Sequence, residues 1–123
     1  MIELLDGMPS GTVGVRARGV VQPADYEEVL IPAIERARAD HEHVNVLYVL
    51  GPDFESYSAG AVWDDTRYGA RHLTGWGRIA LVSDHDWVRH AVGVGRLVMP
   101  GHLRHFPMAE LGAARAWATG APA

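Results

Sequence analysis

The feature that most constrains this sequence is an apolar run at residues 44–50, VNVLYVL. Valine, leucine and tyrosine fill six of its seven positions, and an apolar run of this kind is typical of a strand covered on both faces of a parallel sheet. Gly51 and Pro52 follow the run and are predicted to end the strand. The run therefore predicts an α/β protein in which residues 53–58 form a loop at the carboxyl end of a central strand.

A helix is predicted to follow this loop, with Ser58 as its N-cap, because serine is among the preferred cap residues. Small and apolar residues then recur every three or four positions up to Leu73, so they share one helix face. In open α/β sheets, ligands and partners meet the loops at the carboxyl ends of the strands. The junction from Asp53 to Trp63 is therefore a candidate functional region.

The rest of the chain predicts strands and helices that alternate around this unit. Strands are predicted at 2–5, 12–19, 79–82 and 103–106, and helices at 23–37, 87–99 and 110–118. Turn-forming residues at 6–7 and 9–11 indicate that the first two strands form an antiparallel pair. Pro32 is expected to kink the first helix. The pattern predicts one domain over residues 1–123, with a mainly parallel sheet of about five strands, right-handed βα crossovers and about four helices.

Composition excludes several classes of function. The chain has 11 basic and 15 acidic residues, a net charge of −4, which argues against binding to nucleic acid. It lacks lysine and cysteine, which excludes Schiff-base lysines, P-loop lysines, disulfides and thiolate metal sites. No apolar run approaches the ~18 residues of a membrane span, and no secretion signal is evident. We therefore expect a cytoplasmic protein, with peripheral membrane association as an alternative.

The helix predicted at 87–99 is apolar around most of its circumference, which is more than one core-facing side requires. A surplus apolar face indicates a protein partner, a nonpolar ligand, a membrane surface or a homodimer, whereas full burial against the sheet is the structural alternative. An apolar pocket shared with neighbouring tryptophans is also consistent with the pattern. The candidate ligand-binding or partner-binding residues are Asp53, Ser58, Trp63, Trp76, Trp87, Val94, Leu97 and Met99.

Several segments together resemble the STAS-domain group and, within it, the small bacterial SpoIIAA-like family. They are DYEEVLIPAIE at 25–35, DFESYSAGAVWDD at 53–65, RIALVSD at 78–84, Trp87, MPG at 99–101 and FPMAELGAARAW at 106–117. The family fold is also similar to that of CRAL-TRIO lipid carriers. The resemblance implies a mixed sheet built by successive right-handed βα turns, with no cofactor and no enzymatic activity.

The family resemblance also bears on Ser58. STAS proteins that antagonise anti-sigma factors carry a phosphorylatable serine at a helix start, in the pattern Asp-Ser-Ser-Gly. The matching residues here are Tyr57-Ser58-Ala59-Gly60, and alignment on Gly60 places Ala59 at the acceptor position. A phosphorylation switch is therefore not carried over to this chain.

Three functions follow in order of support. The first is a non-catalytic STAS-type regulatory or ligand-binding module that acts by protein–protein contact. The second is a carrier or sensor of a small nonpolar or lipid-like molecule, and the least supported is a hydrolase that uses Ser58. No metal site is predicted, because His41 and His43 supply two imidazoles where a convincing site needs three or four ligands.

Overall fold

Five strands form one mixed sheet in the computed structural model, which describes residues 1–58, 60, 76–98 and 103–120, without the side chains of Tyr57, Leu97 and Val98. In both sequence and space the order is β1 (Ile2–Leu4), β2 (Thr12–Val21), β3 (Val44–Tyr57), β4 (Trp76–Ser83) and β5 (Leu103–Phe106). β1 and β2 are antiparallel, as predicted, and the three later pairings are parallel. The sheet is therefore mixed, and its description as mainly parallel is corrected, because the short connection before β2 reverses the chain.

Three helices are present in the described residues, rather than the four expected. Helix α1 combines an α-helical turn (Pro23–Asp25), a π-helical section (Tyr26–Leu30) and an α-helix (Ile31–Asp40). Helix α2 spans Asp86–Val98, and α3 spans Leu111–Ala118 after a 3₁₀ turn at Met108–Glu110. The helix predicted after Ser58 falls largely on residues that the structure does not describe.

A π-helical section lies directly before Pro32, where a kink was expected; the kink itself stays a prediction. The Ile31 N–H donates to the carbonyl oxygen of Tyr26, five residues earlier. Proline lacks an N–H, and in a regular α-helix its ring would crowd the carbonyl of Glu28. The wider π turn directly before Pro32 accommodates that ring.

Two apolar clusters fill the two faces of the sheet. Helices α1 and α2 contribute to one cluster and α3 to the other. Because successive strand residues point to opposite faces, the run at 44–50 supplies Val46, Tyr48 and Leu50 to the first cluster and Leu47 and Val49 to the second. This confirms the prediction of a central strand that is buried on both faces.

The predicted end of the central strand at Gly51 and Pro52 is wrong, because β3 continues to Tyr57. Ala17 pairs with Leu50, but the next pairing is Gly19 with Phe54, so residues 51–53 form a bulge. A proline at a bulge costs the ladder no hydrogen bond. β4 pairs with β3 only as far as Ser83 opposite Leu50. The predicted loop at 53–58 is therefore mostly a strand extension that pairs with β2.

Candidate functional site

A half-open cleft of about 280 Å³ lies at the carboxyl end of β4, beside the bulge of β3 at residues 51–53. It lies where β3 continues beyond the last residue of β4 and the chain turns toward α2. This edge of an α/β sheet is where ligands and partners commonly bind. The lining residues are Leu50, Gly51, Pro52, Asp84, His85 and Met108.

Ser83 is a buried residue at the end of β4 that holds hydrogen bonds beneath the cleft. Its side chain is fully buried, and its Oγ accepts a hydrogen bond from the His85 N–H at 3.0 Å. Its carbonyl oxygen accepts one from His105 Nε2 at 2.7 Å, which links β4 to β5. A buried hydroxyl that accepts a backbone hydrogen bond is a structural element of the site.

His85 connects the end of β4 to the bulged part of β3. Its Nε2 donates to the carbonyl oxygen of Gly51 at 3.3 Å, and its ring meets Phe54 edge-on with centroids 5.7 Å apart. Because the acceptor is a backbone carbonyl, Nε2 must carry the proton in this arrangement. The imidazole therefore braces the extension of β3 and does not present a free Nε2 base to the cleft.

Asp84 also has a partner within the protein. Its Oδ1 accepts a hydrogen bond from the Met108 N–H at 3.0 Å, at the start of the turn before α3. The carboxylate thus joins the end of β4 to the start of the last helical segment. Both ionisable side chains in the described part of the cleft lining are therefore used to hold its walls together.

Asp53 does not line the cleft, although it lies on the adjacent bulge. Arg16 Nη2 is 3.2 Å from Asp53 Oδ1, and Arg18 Nε is 3.4 Å from Oδ2. Burial acts to raise the pKa of Asp53, but the Arg16 hydrogen bond and the positive charges of Arg16 and Arg18 outweigh it and hold the pKa below the ordinary 3.8. Asp53 is therefore an ionised member of an ion-pair cluster at neutral pH.

Helix α2 carries an exposed apolar stripe, which we define as Trp87, Ala91 and Val94. Trp87 is 47% exposed and Val94 is 67% exposed, whereas Val88 and Val92 are buried against the sheet. The spacings of four and three residues place the stripe on one side of the helix. The Trp87 ring also lies 5.9 Å from the Phe54 ring, so the stripe meets the extension of β3 beside the cleft.

The structure separates several of the candidate residues. Trp76 is buried at the start of β4, under the Arg38 guanidinium at 5.4 Å, whereas Trp87 follows the other end of that strand. Trp76 and the α2 residues Val88 and Val92 nevertheless belong to the same apolar cluster, so a pocket that Trp76 shares with α2 stays a prediction. The Ser58 N–H donates to the Val21 carbonyl oxygen at 2.8 Å, which continues the β2–β3 ladder.

Other parts of the candidate set lie outside the described residues. These are Trp63, Met99, the side chain of Leu97 and the helix that Ser58 was predicted to cap. In the ranges that are described, no group of three or more His, Cys, Asp or Glu side chains could hold a metal ion. Nor does any helix in those ranges have the length and apolarity needed to cross a bilayer.

Sequence reasoning missed the cleft residues around Ser83 and the ion pairs of Asp53. A usable signal was present, since Ser83, Asp84 and His85 directly follow an apolar strand and so lie at the carboxyl edge of the sheet. No comparable signal existed for the partners of Asp53, because Arg16 is 37 residues away.

Comparison with known proteins identifies the fold. A family model described as SpoIIAA-like matches residues 12–119. The crystal structure of an uncharacterised protein of the DUF3478 family with a SpoIIAA-like fold, from Shewanella loihica PV-4, superposes with a TM-score of 0.73 at 22% identity, covering 95% of this chain and 93% of that chain. No curated protein matches the chain significantly. With the mixed sheet and the family match over most of its length, this chain belongs to the SpoIIAA-like family.

Proposed function

We propose that this protein is a non-catalytic binding module of the STAS type that acts by protein–protein contact through the α2 stripe. The observation that carries the proposal is the exposure of Trp87 and Val94 on one side of α2, beside Phe54. Single exposed apolar residues are common on protein surfaces, but a contiguous stripe beside a cleft is typical of an interaction site. Tryptophan is also enriched among the residues that contribute most to binding energy.

The chemistry of the cleft supports a non-catalytic role. A general acid or base must be able to exchange a proton with a substrate near the working pH. Asp84 accepts a backbone hydrogen bond and His85 Nε2 donates one, so both are committed to structural contacts. The pKa of Asp53 is shifted downward, away from neutrality, so this carboxylate is poorly suited to proton transfer near pH 7. Ser58 does not line the cleft, so a hydrolase that uses it gains no support.

A small nonpolar ligand is the second candidate, because Leu50, Pro52 and Met108 line part of the cleft. Its volume of about 280 Å³ lies just below the roughly 300–1,000 Å³ of typical ligand pockets. That space suits a small nonpolar molecule better than a long-chain lipid. Of the two ligand-binding functions, the size of the cleft therefore favours a sensor of small molecules over a lipid carrier.

Native mass spectrometry of the purified protein, compared with the same sample after denaturation, tests the proposal. We expect the mass of the chain alone, 13.4 kDa, or of its dimer, with no extra mass lost on denaturation. A sample incubated with a small nonpolar alcohol is the control for ligand retention. Co-purified noncovalent mass would overturn the proposal in favour of the ligand-binding alternative.

The same spectra test the predicted homodimer. If a second copy covers the α2 stripe, Val94→Glu should convert the dimer to a monomer, because a charge would be placed in an apolar contact. Arg89→Glu, at an exposed position outside the stripe on the same helix, is the control. A dimer that both variants retain would show that its interface lies elsewhere.

A further inference from the structure

Two arginines near the edge strand β5 lack a carboxylate partner among the described residues. Arg104 is exposed, with its Cζ 4.7 Å from the Phe106 ring centroid and 5.8 Å from that of Trp117. Arg78 has its Cζ 5.5 Å from the Trp117 centroid and donates through Nη1 to the Trp117 carbonyl oxygen at 2.9 Å. The ion pairs in the described ranges involve Arg16, Arg18 and the Met1 amino group instead.

The strand register places both arginines on one side of the sheet. Arg104 pairs with Ala80, and Phe106 pairs with Val82, on the face that α3 covers. Arg78 precedes Ala80 by two residues and therefore shares that face. Two guanidinium groups thus lie against one indole ring, forming a local positive surface on a chain with a net charge of −4.

Stacking on aromatic rings suits these side chains to anion recognition. A guanidinium that lies over a ring is held in place while its N–H groups remain available at its edge. Those groups match the two oxygens of a carboxylate. The Arg104 side chain has no hydrogen bond among the described contacts, so its guanidinium N–H groups are available to such a ligand.

The backbone beside Arg104 offers a second recognition element. β5 is the last strand in the sheet order, and within the described ranges it pairs with β4 alone. The outer edge of such a strand carries N–H and C=O groups that can pair with an added strand. Side chains directly opposite each other on paired strands lie about 4.5–5.5 Å apart at Cβ, so an acidic residue of the added strand would reach Arg104.

We propose that β5 and Arg104 form a docking site for an extended acidic peptide segment, which adds to the sheet beside β5. This surface is separate from the α2 stripe and does not depend on the function proposed above. Charge complementarity selects the occupant, because neither of the two guanidinium groups there forms an ion pair with a carboxylate of the described residues. The alternative is that Arg104 merely protects a short edge from association.

A ¹⁵N NMR titration tests this proposal with two acetylated hexapeptides, one alternating threonine and glutamate and the other alternating threonine and lysine. We expect the acidic peptide to shift the backbone amides of Leu103–Phe106 and the indole N–H of Trp117. The basic peptide should not shift them, because it would place positive charge beside Arg104. An acidic peptide with N-methylated backbone amides should lose the β5 shifts, since it cannot complete the strand ladder.

Two substitutions provide the second part of this test. Arg104→Gln should weaken binding of the acidic peptide by about fivefold or more, because a charge-assisted hydrogen bond is lost. Arg89→Gln, at an exposed site on α2, should leave binding unchanged. Equal binding of the acidic and basic peptides, shifts confined to other surfaces, or unchanged affinity in a folded Arg104→Gln protein would overturn the proposal. The peptide comparison decides the question even if that variant does not fold.

Discussion

Leu50→Ala is expected to lower the free energy of unfolding by about 3 kcal/mol. Leu50 is only 2% exposed, belongs to the core between the sheet and helices α1 and α2, and also forms a wall of the cleft. Truncation removes buried apolar surface and leaves a cavity. The neighbouring strands β2 and β4 cannot close it, because each is paired with β3 at Leu50. Urea denaturation followed by tryptophan fluorescence measures the change.

Leu111→Ala is the matched control for this prediction. Leu111 is 37% exposed at the start of α3, so the same truncation should cost less than about 1 kcal/mol. Similar losses for the two variants would show that β3 at Leu50 is not part of the tightly packed core. The assignment of Leu50 to both core and cleft would then be wrong.

Ser83→Ala is expected to destabilise the protein by about 1–3 kcal/mol, although it removes a single oxygen atom. The Ser83 Oγ is the acceptor for the His85 N–H, and Ser83 is completely buried. Alanine would leave that N–H without its acceptor. Thermal and urea unfolding measure the loss, and amide hydrogen exchange should show faster exchange at His85.

Ser10→Ala serves as the control for this second prediction. Ser10 is exposed, and its Oγ lies 2.7 Å from His41 Nε2, so its hydrogen bond can be replaced by water. Its loss should cost less than about 1 kcal/mol. If Ser83→Ala were no more destabilising than Ser10→Ala, and His85 exchange were unchanged, Ser83 would not organise the site.

Much of the fold follows from periodicity in the sequence. The nearly unbroken apolar run at residues 44–50 predicts a strand with two buried faces, and the three- and four-residue spacings predict helices near their observed positions. The continuation of β3 past Pro52 could not be predicted in the same way. It depends on a bulge in the pairing with β2, a relationship between residues more than 30 positions apart.

The candidate site could be predicted only in part, for a similar reason. The exposed side of α2 follows from a surplus of apolar residues within one helix, so Trp87 and Val94 were identifiable locally. The cleft requires Leu50, His85 and Met108 to converge from three separate elements. Asp53 was identified as a candidate, but its role depends on Arg16 and Arg18 across the sheet, and its charge is used within the protein.

The most direct test of the central claim is photo-crosslinking in the native host, with p-benzoylphenylalanine incorporated at Val94. Incorporation at Ala113, which is exposed on the opposite face of the sheet, is the control. The proposed function predicts a discrete adduct with one protein from position 94 but not from position 113, and loss of that adduct when Trp87→Ala is added. Equal adducts from both positions, or none from position 94, would contradict a protein-binding role for the α2 stripe.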